Sequence, residues 1–169
     1  MPIISTDLKI RYSGGAANSD QTLSLGGAKS SVEPTDNSLN NIFSDSGGSE
    51  SLAGSTKYRC VYIHNAHGTL TADNARVYIG TNSSSTDTTW EVGVGTAAIN
   101  ATEQTIANED TAPSGVTFSS PTTYAAGLAL GNIPAGQHKA IWYKRITTGP
   151  AAADNNDQTS VKYDCDTGA

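Results

Sequence analysis

The run Tyr58-Arg59-Cys60-Val61-Tyr62-Ile63-His64 carries apolar or aromatic side chains on both faces of a two-residue repeat. Successive side chains of a strand point to opposite sides, so this run suits a central strand covered on both faces. Residues 139–146 repeat the pattern around Ile141-Trp142-Tyr143 and read as the longest strand. Shorter segments alternate. Leu8, Ile10 and Tyr12 oppose Lys9 and Arg11, Ala75-Arg76-Val77-Tyr78-Ile79 alternates likewise, and Trp90, Val92 and Val94 share one face of residues 88–94. Gly93 and Gly95 in or beside that strand predict a bulge or a close backbone approach. Val116-Thr117-Phe118 ahead of Pro121 predicts a short edge strand, Leu128 and Leu130 mark another, and Val161-Lys162-Tyr163 closes the series. Ser13-Gly14-Gly15, Asn65-Ala66-His67-Gly68, residues 131–136 and Gly149-Pro150 supply turn chemistry between them.

Seven or eight short strands, with no helix long enough for a parallel crossover, predict an all-β antiparallel β-sandwich with long polar loops. The length of 169 residues fits one domain over 1–169. Only 36% of residues are hydrophobic and 15% are charged, so Ser, Thr, Asn, Gly and Ala fill the rest, which suits strands and loops rather than a helical bundle. Residues 13–57 give the weakest fold signal. Their apolar anchors are sparse (Leu23, Leu25, Val32), and a loop or an arm that orders against a partner is expected there. One helical turn is predicted over residues 37–43, capped by Asp36 or Asn37, with Leu39, Ile42 and Phe43 on one face. Residues 96–115 read mostly as loop, despite some helical character from Ile99 to Ile106.

A net charge of −6 disfavours a nucleic-acid partner, because an acidic surface repels phosphates. Lys139, Lys144 and Arg145 cluster in sequence, and a solvated strand face is the favoured explanation. The first residues, Met1-Pro2-Ile3-Ile4-Ser5-Thr6-Asp7, lack a basic region followed by an apolar one, so no secretory leader is expected. No apolar run approaches the roughly 20 residues that span a bilayer, so no membrane partner is expected. Two cysteines, Cys60 and Cys165, are expected to stay reduced without an export signal.

No candidate for catalysis, cofactor or metal survives comparison with a plainer explanation. His64 and His67 lack further ligands at zinc-like spacing, so a hydrogen-bonded loop is favoured. Asp154-Asn155-Asn156-Asp157 offers oxygens but lacks the spacing of a calcium loop. No serine sits in a nucleophile elbow, Glu91 and Glu109 cannot be paired from sequence, and the Gly14-Gly15, Gly26-Gly27 and Gly47-Gly48 pairs do not open helices as phosphate loops do. Tyr58, Tyr62, Tyr78, Tyr124, Trp142 and Tyr143 could form a sugar-binding face, although core or partner surface is favoured. Asn82 and Asn100 begin glycosylation sequons that matter only after export. The chain is therefore read as no enzyme.

Several stretches carry a family likeness: Leu8-Lys9-Ile10-Arg11-Tyr12-Ser13-Gly14-Gly15-Ala16 with Ser24-Leu25-Gly26-Gly27-Ala28; Tyr58 through Asn65; Thr111-Ala112-Pro113-Ser114-Gly115-Val116-Thr117-Phe118; and Leu130-Gly131-Asn132-Ile133-Pro134-Ala135-Gly136-Gln137. In this order they resemble small virion structural proteins of tailed bacteriophages, of the kind encoded beside the capsid genes. The resemblance implies an immunoglobulin-like or jelly-roll sandwich present in many copies on the virion, assembled in the host cytoplasm. Its expected role is a capsid decoration or cement protein whose partners are the major capsid protein and copies of itself. A tail, neck or baseplate component is the alternative, and a receptor- or glycan-binding module the third.

Overall fold

The computed structural model describes residues 2–154 and 157–167. Its strands are β1 (Leu8–Tyr12), β2 (Gly26–Gly27), β3 (Ser55–Asn65), β4 (Ala72–Thr81), β5 (Thr88–Val94), β6 (Glu103–Thr105), β7 (Phe118–Ser119), β8 (Leu128–Ile133), β9 (His138–Thr147) and β10 (Ser160–Thr167), with a short α-helix, α1 (Gly48–Ala53), and a 3-10 turn at Gln21–Leu23. All strand pairs are antiparallel. One sheet has the order β1-β3-β9-β5-β7, a second the order β10-β4-β8, and β2 with β6 forms a small ribbon. The expected antiparallel β-sandwich is what the chain forms.

The two larger sheets share a core. Leu8, Val61, Ile63, Val92, Ile141 and Tyr143 from the first meet Ala75, Val77, Ile79, Leu130 and Ile133 from the second. The other face of the first sheet is buried too: Cys60, Tyr62, Ala140 and Trp142 pack under Ile106, Leu25, Val116 and Phe118. That second layer is the physical reason for the two-faced apolar pattern of β3 and β9. β3 lies between β1 and β9, pairing Val61 with Tyr12 on one side and with Ile141 on the other. At 11 residues it also exceeds the 10 of β9, which reverses the expected order of length.

Among the described residues, β2 and β6 are strands without a sequence signal, because two or three residues are too few to display a period. Gly26 makes their pairing possible. Its φ is +98°, and a Cβ there would stand 1.8 Å from the Gln104 carbonyl oxygen. Gly93 resolves the other way from a bulge. The register of β5 on β9 runs unbroken from Thr88 to Val94, and a Cβ at Gly93 would meet Val116 at 2.5 Å. It is a close approach by the covering loop.

Residues 13–57 are mostly loop, and much of the stretch lies on its own sandwich. Buried hydroxyls hold its first half. Ser13 Oγ donates to the Cys60 carbonyl (2.9 Å), Gly26 N donates to Ser13 Oγ (3.0 Å), and Tyr62 Oη donates to the Gly27 carbonyl (2.5 Å). Backbone bonds from Ser30 to Tyr12 and from Tyr12 to Val32 then cap the outer edge of β1 at its Tyr12 end. Polar composition concealed this order, because these side chains bury by hydrogen bonding rather than by apolar area.

The predicted helical turn at residues 37–43 is absent. Asn37 and Asn40 take left-handed backbone conformations (φ 56° and 57°), which break helical propagation. Leu39 is consequently 84% exposed, while Ile42 and Phe43 are buried. The helix forms at Gly48–Ala53 instead, where the Glu50 carboxylate accepts from Gly47 N (3.3 Å) in the first turn.

Candidate functional site

A broad cleft lies at the end of the sandwich where residues 37–46 face residues 151–154 and 157–159. It encloses about 640 Å³ and is lined by Phe43, Trp90, Arg145, Leu39, Asp154 and Asp157, among others. β5 supplies Trp90 and β9 supplies Arg145, which are register partners across the sheet. Phe43 closes the base of the cleft. Its ring meets Trp90 edge-on at 4.9 Å and lies under two guanidinium groups, Arg145 at 4.9 Å and Arg59 at 5.5 Å. Arg145 also donates to the Ser44 carbonyl (2.7 Å), so ring and backbone are held together. Burial pushes the Arg145 pKa down, against the pull of Glu50 and Glu109.

The opposite wall is tied by short polar contacts. Asp157 accepts from Ser83 Oγ (2.5 Å) and from Ser85 N (3.3 Å), and Asp87 accepts from Ala152 N (2.9 Å). Asp157 thereby spends an oxygen that the calcium expectation weighed, and Asn155 and Asn156 lie outside the described residues. Asn82, the first sequon residue, bonds Trp90 twice, donating to its carbonyl (3.0 Å) and accepting from its N–H (2.9 Å). Asn100 sits in a turn at φ 61°. The cleft thus joins an aromatic base, one guanidinium and polar walls.

Below it lies an ion cluster that sequence reasoning missed. Lys57 Nζ contacts Glu50 (2.6 Å), Asp110 (2.8 Å) and Glu109 (3.0 Å) with its side chain only 9% exposed. Arg59, buried in the core, pairs with Glu109 as well. Burial works against the Lys57 ammonium, but hydrogen bonds to Asp110, Glu50 and Glu109 outweigh it and raise its pKa. Burial likewise works against the Glu109 carboxylate, and Lys57 and Arg59 hold it below its ordinary value. The cluster clamps α1 and residues 109–110 onto β3. The partners' distance in sequence hid it, and so did the placing of Lys57 in the 13–57 loop, because β3 starts at Ser55 and carries both cations.

His64 and His67, for which the sequence favoured a hydrogen-bonded loop, take separate places. His64 faces His138 across the β3–β9 pair, and His138 packs edge-on against Tyr62 at 4.9 Å. Burial, with Lys29 and His64 nearby, lowers the His138 pKa to about 4. Burial also lowers His64, helped by Lys29 and Arg11. His67 Nδ1 accepts from Thr69 N (3.1 Å) and Leu70 N (2.9 Å) and caps a turn. Among the described residues no three His, Cys, Asp or Glu side chains are grouped to hold a metal ion.

The aromatic set does not form one face. Tyr62, Trp142 and Tyr143 are fully buried, Tyr58 packs on Phe118, and Tyr124 donates to the Asn74 carbonyl (3.0 Å) on another side. The basic cluster is also split, because neighbours alternate along β9. Lys144 pairs with Glu91 (2.8 Å), Lys139 donates to the Ala97 carbonyl, and Arg145 enters the cleft. None of the three is fully solvated, contrary to expectation. Cys60 and Cys165 are both free thiols. Burial raises Cys60, and burial with nearby Asp164, Asp166 and Asp73 raises Cys165.

No described helix is long and apolar enough to cross a membrane. No family model, curated protein or solved structure matches this chain.

Proposed function

We propose that this chain is a non-enzymatic virion structural protein of a tailed bacteriophage: a capsid decoration or cement protein. It binds the assembled shell and stabilises it through the major capsid protein and through copies of itself. The observation that carries this is the mounting of Leu39 and Leu52, which are 84% and 73% exposed. Single exposed apolar side chains are ordinary on a protein surface. These two stand on a polar stretch fastened by Phe43 under its two arginines and by Glu50 on Lys57. A contact surface held rigid before docking costs less entropy to bind. The family resemblance supplies the shell as the partner, and the net charge of −6 keeps such a protein off packaged DNA.

The test is titration of purified protein onto expanded capsids that lack it, beside the double variant Leu39→Ser/Leu52→Ser. Saturable binding at local symmetry axes, weakened in the variant, is expected. No saturable binding to the shell would sink the proposal, and labelling of tails or necks instead would move the protein to the tail, neck or baseplate alternative. The Trp90 cleft favours a receptor- or glycan-binding module as a second reading. A glycan array without hits at millimolar sugar would rule that module out.

A further inference from the structure

The sandwich has an open edge that fits a second copy of itself. β1 is capped at its Tyr12 end by backbone bonds to Ser30 and Val32, and Lys9 and Arg11 reach Glu33 and Ser31 along the rest of its outer edge. β7 is two residues long, and β8 is interrupted by Gly131 at φ +85° and by register shifts in its pairing. β10 differs. It pairs in continuous register from Val161 to Asp164 with β4 on one side, between irregularities at Ser160 and Cys165, where Cys165 N donates to Asp164 Oδ1 (2.9 Å), and no backbone–backbone hydrogen bond among the described residues reaches its other side. An extended edge with unpaired N–H and C=O groups is a template for another strand. Beside it lies an open cleft of about 460 Å³, lined by Ile3, Ile4, Val161 and Tyr163 among others, with Ile4 58% exposed.

The side chains of β10 choose the partner. Val161, Tyr163 and Cys165 are half-buried, and Lys162, Asp164 and Asp166 are exposed. A two-fold axis normal to the sheet keeps each face on its own side, so an antiparallel self-pairing must centre on a residue. Centring on Lys162 opposes it to its own copy, and centring on Asp164 does the same with carboxylates. Centring on Tyr163 places Lys162 opposite the second copy's Asp164, twice by symmetry, within the regular stretch of the strand. Opposite charges directly across a strand pair stabilise it and like charges weaken it.

We propose that β10 pairs antiparallel with β10 of a second copy about a two-fold axis at Tyr163, joining the two three-stranded sheets into one of six strands. The dimer rests on this edge alone and not on the shell assignment, although it would give the many-copy role a contact. Its small strand-to-strand area places it among weak interfaces, dissociating in about the micromolar-to-millimolar range.

Sedimentation equilibrium on the full chain tests it through a charge swap. Lys162→Asp and Asp164→Lys each put like charges opposite one another at two symmetry-related places. Each is expected to weaken dimerisation about tenfold. The double variant restores both pairs at unchanged net charge, and its dimer is expected to return to within about threefold of the native constant. Net charge alone predicts otherwise: Asp164→Lys takes the chain from −6 to −4 and would strengthen association. A native protein that stays monomeric at about 1 mM overturns the proposal. So does a dimer indifferent to both single changes, or one that the double change fails to restore while circular dichroism shows a native fold. None of these results bears on capsid binding, which the titration above reads separately.

Discussion

Replacing Phe43 with alanine should free the 34–46 stretch from the sandwich and cost about 3 kcal/mol. The ring is 5% exposed. Burying a phenylalanine ring removes about 150 Å² of apolar surface, worth roughly 4 kcal/mol at ~25 cal/mol per Å². Its edge contact with Trp90 and the two guanidinium groups over its face add to this, at about 0.5–1 kcal/mol each. Partial collapse of the loop, burial already present in the unfolded chain and the methyl that alanine keeps subtract more than these contacts add, which brings the total to about 3 kcal/mol, the low end for Phe→Ala in cores. In a chain of this size that corresponds to a fall in Tm of roughly 6–12 °C. Urea melts give the stability change, and limited proteolysis should cut within residues 34–46 well before global unfolding. Leu39→Ala, at a residue 84% exposed in the same stretch, is the control and should stay within about 0.5 kcal/mol. A Phe43→Ala variant no less stable than that control, with no new cleavage site, would refute the anchoring.

Lys57→Met leaves three carboxylates crowded around an apolar side chain. The loss should be about 2 kcal/mol at neutral pH, reduced from a fully buried pair because the acids are partly solvated. The clamp also fixes a pH window. The Lys57 pKa is raised, so its contribution is complete below 10.5 and fades as pH climbs through the folded-state value; that of Glu109 is lowered, so its contribution is complete above 4.5 and fades as pH falls. Urea midpoints of the native chain should therefore drop on the acid side, and Lys57→Met should flatten that drop. His138 adds a second acid-side loss. Its folded-state pKa of about 4 lies below the ordinary 6.5, so the unfolded chain takes up the proton first and stability declines from pH 6.5 down to about 4. His138→Gln should reduce that slope in a pH series of melts, leaving the smaller part that the lowered His64 contributes. Gly26→Ala meets both a left-handed backbone and the Gln104 carbonyl, and should cost about 2–3 kcal/mol by thermal melting; a loss below 0.5 kcal/mol would mean that the β2–β6 ribbon is not fixed as described.

Residues with a period revealed themselves. The two-faced runs of β3 and β9 gave away central strands, and the alternation of β1, β4 and β5 their inward faces. The same runs carry a second signal. A sheet apolar on both faces needs a second covering layer, and only residues 13–33 and 95–120 were left to provide it. Those segments hid because they bury Ser13, Ser24, Ser30 and Glu103 through hydrogen bonds, which leave no apolar pattern. The cleft was hidden for another reason. Phe43, Trp90 and Arg145 come from three distant parts of the chain, and a helical period placed Phe43 beside Leu39, whereas two left-handed asparagines turn them apart. Alternation along central strands buries Tyr62, Trp142 and Tyr143 on either side of one sheet, in the core that the sequence favoured for them over a sugar-binding face.

The number and position of copies on an assembled virion test the proposed role most directly. Quantitative mass spectrometry of purified particles, with a density map at side-chain resolution, should find hundreds of copies seated on the capsid exterior, with Leu39 and Leu52 against the major capsid protein. A protein absent from the particle, or present in tens of copies or fewer at the tail, would contradict it.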